Sequence, residues 1–224
     1  MNVTDAVNTR RSIRAFKPDP VPPDILIKII ETTLRTPSSG NSQPCEYAIV
    51  SGAMLEEIKT AVLANLTQMP NPDIPSPMSY PEPWRSRYAG LMHGVQQLLG
   101  ITREDKQKRA DWNTWGMKLW GAPACIYVYI DKNLYNAGEL PNSLNIFDCG
   151  MAAQTIMLLA TVEGLGTIPA IMPVLYPGIL RRILGLPANK LFVVGIPIGY
   201  PDWDHPANKF HSAREPLEKM AKFY

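Results

Sequence analysis

Arg10-Arg11-Ser12-Ile13-Arg14 puts three guanidinium groups and a hydroxyl within five residues. In an extended segment, Arg10, Ser12 and Arg14 point to one side. Arginine forks grip phosphate oxygens in pairs, and a serine hydroxyl adds a neutral donor. A further arginine, Arg214, stands in the polar C-terminal stretch. Taken alone, such a run reads more readily as solvated surface charge. A second segment, Pro37-Ser38-Ser39-Gly40-Asn41-Ser42-Gln43-Pro44, is a polar loop dominated by turn formers. Alone, it reads equally as a simple turn.

Other chemistries lack their signatures. The chain has no G-x-S-x-G elbow, no P-loop and no G-x-G-x-x-G. Gly164-Leu165-Gly166 lacks a third glycine and follows an apolar helical stretch, so it reads as a helix stop. His93, His205 and His211 have no H-x-x-x-H spacing, and no metal site is expected. Cys45, Cys125 and Cys149 are odd in number and widely spaced, with no C-x-x-C. That pattern argues against a disulfide framework and predicts reduced thiols, two of them buried and inert.

The composition sets outer bounds. A chain of 224 residues makes one large domain or two small ones. Hydrophobic residues at 46% and charged residues at 19% exclude general disorder. A net charge of +2 gives no field to steer nucleic acid. The 22 prolines, about twice the usual ~5% share, demand many loops and element boundaries. No uninterrupted apolar run reaches the ~18 residues of a membrane span. Met1–Asp5 has no basic segment leading into an apolar one. The expectation is a soluble cytoplasmic protein with no nucleic-acid or membrane partner.

The elements that must position these groups follow from periodicity. Thr4 can cap a short helix from Asp5 to Thr9. Pro22 and Pro23 open a helix to Arg35, with Ile25, Leu26, Ile29, Ile30, Thr33 and Leu34 on its buried face, and Pro37 ends it. Tyr47–Val50 predicts a strand, and Leu55, Ile58, Val62 and Leu66 an amphipathic helix. Prolines recur from Pro70 to Pro83, so residues 68–86 read as irregular. Arg103–Trp115 predicts a helix and Cys125–Ile130 a buried strand. Asn145–Glu163 predicts a long apolar helix. Thr167–Pro173 reads as a short strand or loop, and Pro177–Gly185 as a helix. Leu191–Ile198 is the strongest strand signal. Beyond Pro201 the chain is too polar to build a core, so it must lie across something, a second subunit included.

In this order, the segments resemble the nitroreductase family of FMN-dependent oxidoreductases over nearly the whole chain. The resemblance rests on R-R-S-I-R, on T-P-S-S-G-N-S-Q-P at Thr36–Pro44, and on G-A-P at Gly121–Pro123. It continues through G-L-G-T-I-P-A at Gly164–Ala170, G-Y-P-D at Gly199–Asp202 and N-K-F-H-S-A-R-E-P-L-E at Asn208–Glu218. The proline-rich insertion and L-G-I-T-R-E-D-K at Leu99–Lys106 are most similar to the nitrobenzoate and nitroaryl reductase branch. Three positions depart from the family pattern. Cys45 follows Q-P, where tryptophan is frequent. Ile171 and Met172 replace the carboxylate and glycine of P-I-E-G. Ser212 stands where a second basic residue often precedes Arg214.

The resemblance implies an α+β fold, with a mixed sheet flanked by helices. It implies one FMN-binding domain over 1–224, carrying the proline-rich insertion at about 68–116. A C-terminal arm, about 201–224, would be swapped onto the partner in an intertwined homodimer. Arg10, Arg11, Ser12 and Arg214 would hold the FMN phosphate and ribityl chain, and Arg14 would approach the ring. Pro37, Ser38, Ser39 and Asn41 would come from the other subunit. Pro169, Ala170 and Ile171 would lie along the ring. NADH or NADPH would donate two electrons, passed on to a nitroaromatic or quinone acceptor in ping-pong fashion. Solvent can supply the protons, so no catalytic side chain is assigned. Two alternatives keep the flavin: reduction of an activated alkene or halogenated ring, and a non-enzymatic flavin-binding module. Trp112 and Trp115, three apart on one helix face, read either as walls of an aromatic acceptor slot or as packing of the insertion.

Overall fold

The computed structural model describes residues 1–75, 77, 79–135 and 141–224. Four strands form one sheet in the order β1-β2-β4-β3: β1 Glu46–Ser51, β2 Ala124–Asp131, β3 Gly166–Thr167 and β4 Lys190–Gly199. All three strand pairings are antiparallel. A parallel bridge from Ser12 to Thr167 gives the sheet its mixed edge. The helices are α1 Val3–Thr9, α2 Pro23–Thr33, α3 Gly52–Ala64, α4 Trp84–Leu98, α5 Lys106–Met117, α6 Lys132–Tyr135, α7 Ser143–Val162, α8 Pro177–Leu184 and α9 Leu217–Met220.

The period-2 alternation of β2 decides the layering. Cys125, Tyr127 and Tyr129 face one way and pack with Leu55, Ile58 and Val62 of α3, Leu180 of α8 and Phe192 of β4. Ala124, Ile126, Val128 and Ile130 face the other way, onto Leu26 and Ile29 of α2 and Cys149, Ile156 and Ala160 of α7. β2 is therefore buried on both faces, which explains its unbroken apolar character. On α2 and α3 the buried residues recur at i, i+3 and i+7, the stripe of a helix that covers a sheet. α7 is long and apolar enough to cross a membrane by length and composition, but half of its apolar window is buried inside the protein. That burial is what a core helix shows.

Two local readings need correction. The cap of α1 is Asn2 rather than Thr4. Its side chain accepts from the Asp5 N–H at 2.9 Å, and the Asp5 carboxylate accepts from the Asn2 N–H. The irregular stretch also ends earlier, at α4. Its apolar residues Trp84, Tyr88, Leu91, Val95 and Leu98 recur at helical spacing, although only Val95 is buried along its 15 residues. The described part of the proline-rich stretch is tied down. Asp73 accepts from Arg181 at 2.7 Å and from the Phe192 N–H at 2.9 Å, fastening it to α8 and β4.

The arginine segment is stitched into the body rather than lying on it. The Ile13 N–H donates to the Thr167 carbonyl at 3.0 Å, Phe16 to Trp120 at 3.2 Å and Lys17 to Tyr200 at 2.9 Å. The buried carboxamide of Asn208 joins it to the segment beyond β4. Its Oδ1 accepts from the Arg14 N–H, and its Nδ2 donates to the carbonyls of Ala15 and Asp202, each at 2.7 Å. On the β4 side, Gly195 exchanges both backbone bonds with Ala170. A Cβ at Gly195 would sit 2.4 Å from Pro173 Cβ, so only glycine admits that approach.

Asn208→Ala leaves three backbone groups without their side-chain partner. At ~1–3 kcal/mol for each unsatisfied buried group, partly relieved by relaxation, a net loss of about 2–4 kcal/mol is expected. Thermal unfolding should fall by ~5–15 °C for a chain of this size. An unchanged melting temperature would remove Asn208 from this role.

Candidate functional site

Sequence-distant segments converge on one cleft of about 1180 Å³. Arg10, Arg11, Ser12 and Arg14 come from the stitched segment, and Arg87, Tyr88 and Leu91 from α4. Trp203, Phe210, His211 and Arg214 come from the stretch after β4. Phe210 is seated against Gly94 of α4, where a Cβ would meet its ring at 2.2 Å. That contact carries the chain past the cleft and delivers Arg214 to it.

The cleft is a concentration of positive charge on a nearly neutral protein. Among the described residues, Arg10, Arg11, Arg14 and Arg214 have no carboxylate partner, whereas Arg87 is paired with Glu215 at 3.1 Å. Burial, and then the charge of Arg214, pull the Arg10 guanidinium below its ordinary value. Burial alone does the same to Arg14. Two like charges thus lie close together, Arg10 partly buried and Arg214 exposed, an arrangement that favours an anion between them. Arg11 stacks on Trp203, 4.5 Å from the ring centroid, and also contacts His211. Arg14 Nη1 donates to the Ser12 carbonyl at 3.3 Å.

The other expected site residues lie elsewhere on the chain. Pro37 and Ser38 line a separate, smaller pocket with Cys45, Tyr47 and Asp148. Ser39 and Asn41 form a short 3-10 turn beside them, and the Ser39 N–H donates to Asp148 at 3.2 Å. Within one chain this loop does not line the arginine cleft. Pro169 is exposed, and Ala170 is bridged to Gly195. Ala170, Ile171, Trp112 and Trp115 pack together on the core. Trp115 is also hydrogen-bonded to the arginine segment, its indole N–H donating to the Arg14 carbonyl at 3.1 Å.

Several contributors carry no sequence signal of their own. Trp203, His211, Arg87 and Tyr88 gain meaning only from where the fold brings them. Asp148 is a single acidic residue in an apolar helix, and that isolation was the one available hint. Among the described residues, no cluster of three metal-ligating side chains occurs.

Known proteins share this arrangement. The chain is 29% identical to nitroreductase NfnB of Mycolicibacterium smegmatis, over 97% of this chain and 90% of that one. It is 28% identical to the chloronitrobenzene nitroreductase of Comamonas testosteroni, over 99% and 96% respectively. Among solved structures, the FMN and NADPH-dependent nitroreductase NfnB from sphigopyxis sp. strain HMH superposes with a TM-score of 0.92 at 28% identity, covering 100% of this chain and 99% of that chain. The nitroreductase family profile matches residues 7–200, so the chain belongs to the nitroreductase family.

Proposed function

We propose that this protein is an FMN-dependent NAD(P)H nitroreductase that works as a homodimer. The observation that carries the reading is the Arg10–Arg214 pair, a partly buried cation and an exposed one in one cleft, neither with a carboxylate partner among the described residues. A phosphate monoester dianion fits that donor set, and FMN carries one. Arg10, Arg11, Ser12 and Arg214 bind the phosphate and ribityl end, and Arg14 the ring end. Pro169, Ala170 and Ile171 flank the ring. When bound, FMN supplies the two-electron chemistry. The FMN and NADPH dependence of the similar sphigopyxis enzyme and the chloronitrobenzene activity of the Comamonas relative support both the cofactor and the acceptor class.

The chain's own work is to bind and orient. The hydrogen bonds at Thr167, Trp120 and Asn208 fix the Arg10–Arg14 backbone, so the guanidinium forks are preorganised for their ligand. Trp112 and Trp115 back the slot where the nicotinamide and then a flat nitroaromatic or quinone acceptor sit in turn. Protons come from solvent, and no side chain is assigned as a catalytic acid or base. One slot used twice implies ping-pong kinetics. A soluble, cytoplasmic setting suits a pyridine-nucleotide donor.

The homodimer is supported by what one chain leaves uncovered. Leu144 and Phe147 of α7 are exposed, as are Leu217, Met220 and Phe223 of the arm. The Pro37–Asn41 loop sits away from the arginine cleft of its own chain, and a partner would bring its copy there. The domain reading goes with this: one unit over 1–224, with the insertion at about 68–116 shaping the slot and the arm from about 201 wrapping the partner.

Purified protein should carry a flavin spectrum that NADPH or NADH bleaches anaerobically and a nitroarene restores. Initial rates should give parallel double-reciprocal lines. Arg10→Ala removes one partner of a desolvated charge contact, a loss of at least ~2 kcal/mol, so FMN should bind ~30-fold or more weakly. Full flavin occupancy in that variant would refute the phosphate assignment.

A chain ending at Phe210 keeps the Asn208 pin but loses Arg214 and the arm. It should remain folded by circular dichroism, purify without flavin, and sediment with a weakened dimer. A flavin-replete protein of wild-type assembly would contradict the role given to the arm.

A further inference from the structure

A second pair of reactive groups lies outside the arginine cleft. Cys45 Sγ is 3.3 Å from Cys149 Sγ, across 104 residues of sequence. Cys45 immediately precedes β1, and Cys149 sits on the buried face of α7. Both are free thiols. Cys149 is buried, while Cys45 is half-buried and lines the small pocket with Pro37, Gln43, Pro44 and Tyr47. A small oxidant entering there meets Cys45 first, and a bulky one is kept out.

The two thiols are unequal. When Cys45 is ionised, the Cys149 S–H donates to it and holds the Cys45 thiol below its ordinary value; a Tyr47 hydrogen bond adds to this, while burial and the Asp148 carboxylate oppose it. The same contact, with burial, pushes Cys149 up. Cys45 is also the more accessible of the two, so it is the thiol that an oxidant reaches, with Cys149 the partner packed behind it. Cys125 shares neither feature: it is fully buried, and burial pushes it up to about 12.

We propose that Cys45 and Cys149 form a reversible dithiol–disulfide couple oxidised by small hydroperoxides. The Cys45 thiolate attacks the peroxide and the O–O bond breaks; Cys45 becomes a sulfenic acid, and the departing oxygen takes up from solvent the proton that Cys45 gave up and leaves as water or an alcohol. The Cys149 thiol then attacks the Cys45 sulfur. The S–S bond forms, the S–O bond breaks, and the hydroxyl leaves as water with the thiol proton. The two sulfurs together lose two electrons, and the peroxide gains them. The sulfurs must close by roughly 1.2 Å to reach disulfide length. α7 is anchored in the core, so that movement falls on Cys45 and the loop before it. The bond would tie Pro37–Pro44 to α7, next to the Asp148 that already accepts from Ser39.

The test uses the full-length wild-type protein. It is treated with a small molar excess of hydrogen peroxide, quenched with N-ethylmaleimide, unfolded, and mapped by mass spectrometry without reduction. Of the three thiols, Cys125 alone should remain alkylatable, and one linked peptide should contain Cys45 and Cys149. Dithiothreitol should restore both. Cys149→Ser should accumulate a Cys45 sulfenic acid that dimedone traps, and Cys45→Ser should keep Cys149 reduced at the same dose. Retention of all three thiols, over-oxidation of Cys45 without the linked peptide, or a Cys45–Cys45 link between chains would each overturn the proposal. The wild-type result decides it even if a variant fails to fold.

Discussion

The carboxamide of Asn208 is the interaction on which the rest of the site depends. It spends its oxygen on the Arg14 N–H and both of its N–H groups on the carbonyls of Ala15 and Asp202. Two of these bonds cross from the stretch after β4 to the N-terminal arginine segment, and the third, to Asp202, braces that stretch on itself. An amide is the group for this work, because it donates and accepts from one rigid plane. An aspartate at this position could not donate, and an alanine would leave buried backbone groups unpaired. Once this junction is closed, Arg10–Arg14 and Arg214 have to share a cleft.

That sharing has an energetic consequence. Four arginines in the cleft have no carboxylate partner among the described residues, and the charge of Arg214 acts on the partly buried Arg10. The folded chain alone therefore holds electrostatic stress that an anionic ligand relieves. A ligand that binds only the folded state stabilises it in proportion to the logarithm of its concentration over its dissociation constant. The proposed phosphate would thus act on stability as well as on function. Arg87 is the instructive exception, because Glu215 neutralises it and leaves the excess charge on the other four.

Backbone strain falls in two places, one beside the arginine segment and one in the polar loop. Leu119 and Trp120 are consecutive non-glycine residues with φ of 58° and 54°, and the Trp120 carbonyl receives the Phe16 N–H. Asn41 and Gln43 adopt similar conformations in the polar loop. Each such residue costs of order 1–3 kcal/mol unless its surroundings fix it. Trp120 is fixed by burial in the core, so its carbonyl is aimed rather than loose.

The sequence by itself determined the elements with an amphipathic stripe or a long apolar run: β2, β4, α2, α3, α7 and the stop of α8 before Gly185. It also supplied the R-R-S-I-R run, the polar loop and the ordered motifs, because each is local in the chain. It could not fix the start of α4, because prolines run up to Trp84, although Tyr88, Leu91, Val95 and Leu98 keep helical spacing beyond it. Nor could it show that Asn208 pins Arg14 across 194 residues, or that Trp203 lies under Arg11. Odd number and wide spacing argued against paired cysteines, yet folding brought Cys45 and Cys149 within 3.3 Å. Local patterns report how one segment buries its own face. Which segments then meet is decided by the antiparallel register of β1, β2 and β4 and by the helices packed on either side, and only the tertiary structure contains that.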